Sequence, residues 1–371
     1  MQATFQFDSP LADVDGHSAP PVVTAPAARA PGRGAAVRPA NPHERVRTEL
    51  WRTPDPPRTR TVVHDDSSQS IVVRNESPDL PFRWTLNPYR GCEHGCSYCY
   101  ARPTHEFLGF DAGIGFESQL LVKRDAPELL RRFLRRPRWQ GEPIVFSGVT
   151  DCYQPIERDH GVTRGCLEVA EEFGQPVSIL TKNALVTRDT DLLVSLAKRR
   201  AAVVSFSITT LDERLSRAME PRTSTPRARL RAMRELAEAG VPVHAMLSPT
   251  IPGLNDHEAP AILEAVAEAG ARSASYTLLR LSGTVRDVFL DWLDRCEPRR
   301  APKVRQLIQS TRGGALNDTR FGYRLTGAGP YAGQIARAFR VFAKRNGLSR
   351  AAAPLSSEAF GRAVSGQRRL F

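Results

Sequence analysis

The sequence predicts an α/β fold in which parallel strands are joined by helical crossovers. Two observations carry this. Strand and helix patterns alternate about six times over residues 84–296. The strand candidates are short apolar runs, while the stretches between them have helical period. Such alternation has two solutions, an open doubly wound sheet or a complete or partial (β/α) barrel, and the pattern alone does not choose between them. In either, the chemistry sits at the C-terminal ends of the strands.

Residues 1–80 are rich in Pro, Ala, Ser, Arg and Asp and lack apolar periodicity, so they are expected to be a disordered or loosely attached extension. Within them Ser70–Arg74 (SIVVR) can add one edge strand. The first core strand is expected around Trp84–Tyr89. The next five are Pro143–Ser147, Pro176–Thr181, Val203–Thr209, Val241–Leu247 and Ser273–Leu279. Between and after them run PELLRRFLRR, RGCLEVAEEFG, DLLVSLAKRR, RARLRAMRELAEAG, HEAPAILEAVAEAG and DVFLDWLDRC, all of helical period. Gly174 and Gly240 stand where helix C-termini favour glycine. The core is thus expected over 81–300. Residues 301–371 form an appendage: a turn-rich stretch, then one basic amphipathic helix in GQIARAFRVFAKRNG, with about the last twenty residues frayed. Gly327-Ala328-Gly329 reads as a plain turn, because Pro330 follows and no Lys or Ser/Thr partner completes a phosphate loop.

The chain has 371 residues, of which 41% are hydrophobic, enough for a sizeable core. No apolar run is long enough to cross a membrane, and MQATFQFDSPLADVDG lacks the basic start and apolar segment of a secretory leader. A cytoplasmic location is expected. The net charge is +12, and residues 1–80 contribute nine Arg against ten Asp or Glu, so the body carries the excess. That excess suits a polyanionic partner such as nucleic acid. It equally suits a genome whose base composition favours Arg and Ala.

Six cysteines are too few for a disulfide scaffold, and three of them fall together. In Asn87-Pro88-Tyr89-Arg90-Gly91-Cys92-Glu93-His94-Gly95-Cys96-Ser97-Tyr98-Cys99-Tyr100 the spacing is C-x3-C-x2-C. Three thiolates this close can wrap one soft metal site, and Gly91 and Gly95 permit the tight backbone. Structural zinc would want a fourth ligand, for which His94 and His105 are candidates, but no second ligand pair follows. An iron–sulfur cluster takes thiolates readily, and three of them leave one iron of a four-iron cube open.

C-x3-C-x2-C with an aromatic before the third Cys resembles the signature of the radical S-adenosylmethionine (SAM) superfamily. NPYRGCEHGCSYCYARPTHEF, FSGVTDCYQPIE, SILTKN, VSFSITTLDERLSRAMEP and LSPTIPGLND resemble its spore photoproduct lyase-like branch, over roughly residues 82–330. The resemblance implies a partial (β/α)6 radical SAM barrel. It also implies a [4Fe-4S] cluster on Cys92, Cys96 and Cys99, SAM on the open iron, and a 5′-deoxyadenosyl radical that takes hydrogen from substrate. Reduction would come from a donor such as flavodoxin or ferredoxin.

Carried over residue by residue, the resemblance puts Tyr98 near the adenine and the methionine moiety at Ser147–Asp151. The usual Gly-Gly-Glu wording is absent there, so Thr150 and Asp151 stand in, unless they cap a turn. Lys182 closes the next strand and can pair with the SAM carboxylate, unless it is a solvated loop lysine. Ser205 and Ser207 share one face by alternation and can reach ribose or carboxylate. Pro249–Asn255 would wall the adenine. Glu220-Pro221 is a SAM or substrate contact or simply a helix end. His94, His105 and His160 read as local hydrogen-bonding groups. Cys152 is a candidate hydrogen donor, although its alignment with the branch is not secure.

Fold does not name the substrate. Nucleic acid is one expectation, and a peptide or small molecule is another. A third, from outside enzymes, is a non-catalytic metal-binding protein that grips nucleic acid, which would need four protein ligands to its metal.

Overall fold

The computed structural model describes residues 32–44 and 59–361. Among the described residues ten strands are found: β1 Val62–Asp65, β2 Val72–Arg74, β3 Trp84–Leu86, β4 Tyr89–Arg90, β5 Gln119–Val122, β6 Ile144–Phe146, β7 Val177–Thr181, β8 Ala202–Ser207, β9 Val243–Thr250 and β10 Ser273–Leu278.

Seven of them form one sheet in the order β10-β9-β8-β7-β6-β3-β2. From β3 to β10 every neighbouring pair is parallel, and the order in space follows the order in sequence. A doubly wound sheet would reverse direction at a switch point. This one never does, so the crossovers lie on one face and the sheet curls as a six-stranded partial barrel. It stays open, because β10 at one edge and β2 at the other do not pair. β2 lies antiparallel on β3, as expected for Ser70–Arg74. A second sheet, β1-β5-β4, was not signalled, since its strands of two to four residues are too short to show a period.

Ala126–Leu134, Val162–Phe173, Thr190–Lys198, Pro226–Glu238 and Ala259–Glu268 are the main crossover helices, and Val285–Cys296 follows β10. Gly174 ends its helix at φ 62°, the left-handed conformation that glycine adopts without steric cost. The main core packs Ile144, Phe146, Val177, Ile179, Val204, Phe206, Ala245 and Leu247 of the strands against these helices. Alternation then turns Ser205, Ser207, His244, Ser248, Ser275 and Thr277 to the inner face of the barrel. There His244 meets the hydroxyls of Ser273 and Ser275 at 2.7 and 2.8 Å. The inner face of β8–β10 is therefore polar but carries no formal charge, since burial lowers His244 to about 4.

The appendage holds the expected helix, Gly329–Arg345, with Ile335, Phe339 and Ala343 buried. A second helix, Ala301–Ser310, precedes it and was not foreseen. The stretch between them joins the two open edges of the sheet. Leu325 O accepts from the backbone of Leu278 at the end of β10 (2.8 Å), while Arg324 grips Asp79, in the turn between β2 and β3, at 2.6 and 2.7 Å. Part of the expected N-terminal extension also packs on the body, with Arg33 and Ala35 buried. No apolar period marks that docking. Residues 1–31, 45–58 and 362–371 lie outside the described residues. Among the described residues no helix is long and apolar enough to cross a membrane.

Candidate active site

The cysteine loop leaves β4 at Gly91 and turns twice in the left-handed region, at Gly91 (φ 74°) and Gly95 (φ 65°). A Cβ at Gly91 would stand 2.7 Å from Leu120 and 2.9 Å from both the His105 ring and the Phe116 carbonyl, so only glycine fits. Cys92 N donates to Phe116 O at 3.0 Å, and Ser97 N to Met219 O at 2.9 Å. Gln154 binds both sides of Cys92, accepting from Glu93 N (2.9 Å) and donating to Gly91 O (3.1 Å).

All three cysteines are free thiols; Cys92 and Cys96 are buried and Cys99 is half-buried. Burial pushes each thiol up from its ordinary value. A metal centre must therefore displace their protons on binding. Of the two histidines that could complete a zinc site, His94 has both ring nitrogens partnered, while His105 is tied through Nε2 and keeps a buried Nδ1 without a partner. His94 faces Asp151 at 3.4 Å and Asn183 at 3.2 Å, and His105 meets Gln119 O at 2.6 Å. Among the described residues, no three His, Cys, Asp or Glu side chains converge on a single ion. Three soft donors held apart around one loop, with no fourth arriving, fit corners of an iron–sulfur cube.

Beside the loop, at the ends of β7 and β8, lies a buried polar group. The Tyr98 hydroxyl donates to Glu220, whose carboxylate also takes Thr209 Oγ1 (2.5 Å) and the guanidinium of Arg229. Arg229 donates further to Ser207 O (2.8 Å), Ser224 O (2.8 Å) and Thr223 Oγ1 (2.6 Å). Lys182 Nζ stands 5.7 Å from the Tyr98 ring centroid, within cation–π range. Burial, followed by Cys96 and Glu220, pushes the Tyr98 phenol well up, so it stays protonated and donates. Burial also pushes Glu220 up, but the charges of Arg229 and Lys182, with the Thr209 and Tyr98 hydroxyls, outweigh it and hold the carboxyl at about 2.

This shift has a sign that can be measured. Unfolded, Glu220 returns to its ordinary 4.5. Its stabilisation is complete above pH ~4.5 and is lost as pH falls through about 2. Glu220→Gln should flatten the acid limb of a plot of urea midpoint against pH. An unchanged limb would show that the carboxylate is not held ionised in the fold.

The other expected residues are placed as follows. Thr150 donates to Tyr89 O at 2.8 Å. Asp151 accepts from Thr181 Oγ1 and from the backbones of Lys182 and Tyr153, all at 2.8–2.9 Å, which ties the end of β6 to the end of β7. Ser207 Oγ donates to Ser248 O at 2.7 Å, and Asn255 Nδ2 to Thr209 O at 2.8 Å, so the loop after β9 folds back onto β8. Cys152 is 0% exposed and packs in the main core with Cys166, apart from the group around Cys96 and Tyr98.

Sequence reasoning passed over Tyr100. It follows Cys99 directly, remains 49% exposed, and donates its hydroxyl to Gly148 O at 2.7 Å. Its position in the loop was the available signal. It also passed over Arg229 and the pair Arg102–Glu117, because an arginine in an Arg-rich chain does not advertise its burial.

Fold and site together describe a partial (β/α) barrel with a three-thiol loop at the C-terminal end of its strands, the class of an iron–sulfur enzyme. The family description of the radical SAM superfamily matches residues 86–266. An uncharacterized protein of Mycobacterium tuberculosis is 39% identical over 232 residues, 62% of this chain and 68% of that one. An uncharacterized protein of Methanocaldococcus jannaschii is 33% identical over 193 residues, 51% of this chain and 70% of that one. Among solved structures, spore photoproduct lyase complexed with dinucleoside spore photoproduct superposes with a TM-score of 0.56 at 15% identity, covering 78% of this chain and 81% of the lyase. A variant of that lyase with bound AdoMet and the same dinucleoside gives 0.56 at 16%. The chain belongs to the radical SAM superfamily, and it shares its fold with spore photoproduct lyase. It is an enzyme whose cofactors are a [4Fe-4S] cluster and SAM, and its cluster needs an external reductant. The non-catalytic reading is thereby set aside.

Proposed function

We propose that this radical SAM enzyme holds its cluster on Cys92, Cys96 and Cys99 and acts on nucleic acid. When bound and reduced, the cluster with SAM supplies a means of taking a hydrogen atom from an unactivated carbon. The chain's own residues bind, orient and exclude water. Lys182 is the half-buried cation at the mouth and would face the SAM carboxylate. Tyr98, held by Glu220, would wall the nucleoside, with Ser205 and Ser207 on the inner face below. Thr150 and Asp151 spend their polar atoms within the protein, so they would shape the pocket rather than grip SAM. Cys152, wholly buried, is not retained as hydrogen donor. Flavodoxin or ferredoxin would supply the electron.

The observation that carries the nucleic-acid reading is the segment bridging the sheet edges. Phe321 and Tyr323 are 48% and 49% exposed there, with the Arg324 and Arg320 guanidinium carbons 4.6 and 5.0 Å from their ring centroids. The two arginines are paired with Asp79 and Asp318 and back the rings, so what the segment offers a nucleic acid is the exposed ring faces, on which bases stack. Tyr100 adds a third exposed ring at the mouth, and the neutral, hydroxyl-bearing inner face suits a hydrogen-bonding base. The chain's +12 charge favours the same partner.

The first test is anaerobic reconstitution, then SAM and dithionite, with release of 5′-deoxyadenosine as the readout and damaged DNA added to look for faster turnover. Binding of a single-stranded oligonucleotide should weaken steeply with salt. Phe321→Ala with Tyr323→Ala should cost about 1–3 kcal/mol of binding per stacked base. Association that is absent, or indifferent to salt and to both rings, would return the substrate to a peptide or small molecule.

A further inference from the structure

One carboxylate outside the thiol set organises everything behind the cysteine loop. Glu117 is 0% exposed. It accepts from Gly34 N at 2.9 Å, Ala35 N at 2.8 Å and Arg102 Nη2 at 2.6 Å. Arg102, itself buried, grips Cys96 O through two nitrogens at 2.8 and 3.0 Å and the carbonyls of Ala112 and Gly113 at 2.9 Å. Residues 32–37 thus cross the outer side of the cysteine loop as a strap. Its contact is backbone on backbone. A Cβ at Gly34 would stand 1.7 Å from Gly95 O, and one at Gly113 would stand 1.9 Å from Val37 O. Arg222 closes the other flank, binding Gly32 O at 3.0 Å and Glu93, inside the cysteine loop, at 2.9 Å. Ala35 is packed against Ile114 and Val288, so the strap also joins the loop to the last barrel helix.

We propose that residues 32–37 are part of the cluster site, and that Glu117 is the positioning residue that locks them over the cysteine loop to keep water and oxygen from the cluster. The proposal rests on Cys92, Cys96 and Cys99 being the cluster ligands. Its physical basis is that a loop held by three thiolates opens as readily as its weakest contact allows. The strap meets the cysteine loop directly at Gly95, backbone on backbone, and is tied to it through two intermediaries: Glu117, which takes Gly34 N and Ala35 N and holds the Arg102 that grips Cys96 O, and Arg222, which joins Gly32 O to Glu93. A buried pair this well satisfied resists opening, whereas half of it does not.

The test uses full-length protein reconstituted without oxygen. Iron and sulfide content, the visible absorbance of the cluster and its midpoint potential are compared between wild type, Gly34→Ala and Glu117→Gln. Gly34→Ala alters no residue of the thiol loop and removes no charge; its Cβ would meet Gly95 O, so the strap and the loop must part. Both variants should load iron anaerobically, then lose the visible absorbance in air about tenfold faster than wild type, the factor expected when opening is favoured by ~1.4 kcal/mol. Glu117→Gln should also raise the midpoint potential, because a negative charge near the cluster is removed; Gly34→Ala keeps that charge. Thermal unfolding of the iron-free proteins shows whether a variant has simply failed to fold, and Gly34→Ala then decides the matter alone. Wild-type decay rates in Gly34→Ala would overturn the strap. Wild-type protein that never assembles the cluster would instead overturn the ligand assignment beneath it.

Discussion

Cys96→Ala is expected to abolish 5′-deoxyadenosine release, lowering SAM cleavage by more than about a thousandfold, because the chemistry resides in the cofactor and not in the protein. Cys92→Ala and Cys99→Ala should do the same. Each removes one of the three proposed ligands, and among the described residues no group of three or more His, Cys, Asp or Glu side chains stands ready to hold an ion in its place. Iron content should fall together with activity, while the barrel remains folded, since Cys96 and Tyr98 belong to a smaller apolar cluster than the main core. The measurement is iron per chain beside anaerobic turnover. A variant that keeps a four-iron cluster and full cleavage would place the ligands elsewhere.

Arg229→Ala should be the most destabilising single change near the site, costing about 3–5 kcal/mol, since it strands a buried carboxylate without its cation. Glu220 is 2% exposed and Arg229 1%. With the guanidinium gone, Glu220 keeps only hydroxyls and the more distant Lys182 charge, and Ser207 O and Ser224 O lose their donor. Urea unfolding of the iron-free protein measures the cost. The double change Arg229→Met with Glu220→Leu should recover much of it, because a well-packed apolar pair can replace a buried ion pair. It should not recover SAM binding, since the Tyr98 hydroxyl then lacks its acceptor and the ring its anchor. Full recovery of both would make the pair a structural device with no part in the site.

The strands and their crossovers were legible because each carries its own period. PIVFS, PVSILT, VVSFSIT and SASYTLL all became strands of one parallel sheet within a residue or two of their expected ends. The small β1-β5-β4 sheet was not legible, because two to four residues cannot show alternation. Ala301–Ser310 hid for a different reason. Its neighbourhood is turn-rich, and the helix is set by burial of Ala301, Val304 and Ile308 rather than by a strong signal of its own.

What the amino-acid sequence determined alone is the chemistry that is local in the chain: three cysteines at one spacing, glycines that let them turn, and a period that alternates between strand and helix. Those are short-range properties, settled by which atoms are covalently near which. What only the tertiary structure decided is which distant donors and cations meet each buried carboxylate. Glu117 meets Gly34 across 83 residues, Tyr98 meets Glu220 across 122, and Arg324 meets Asp79 across 245. No pattern announces such partners, because burial, not sequence, strips water from a carboxylate and makes its one remaining cation matter.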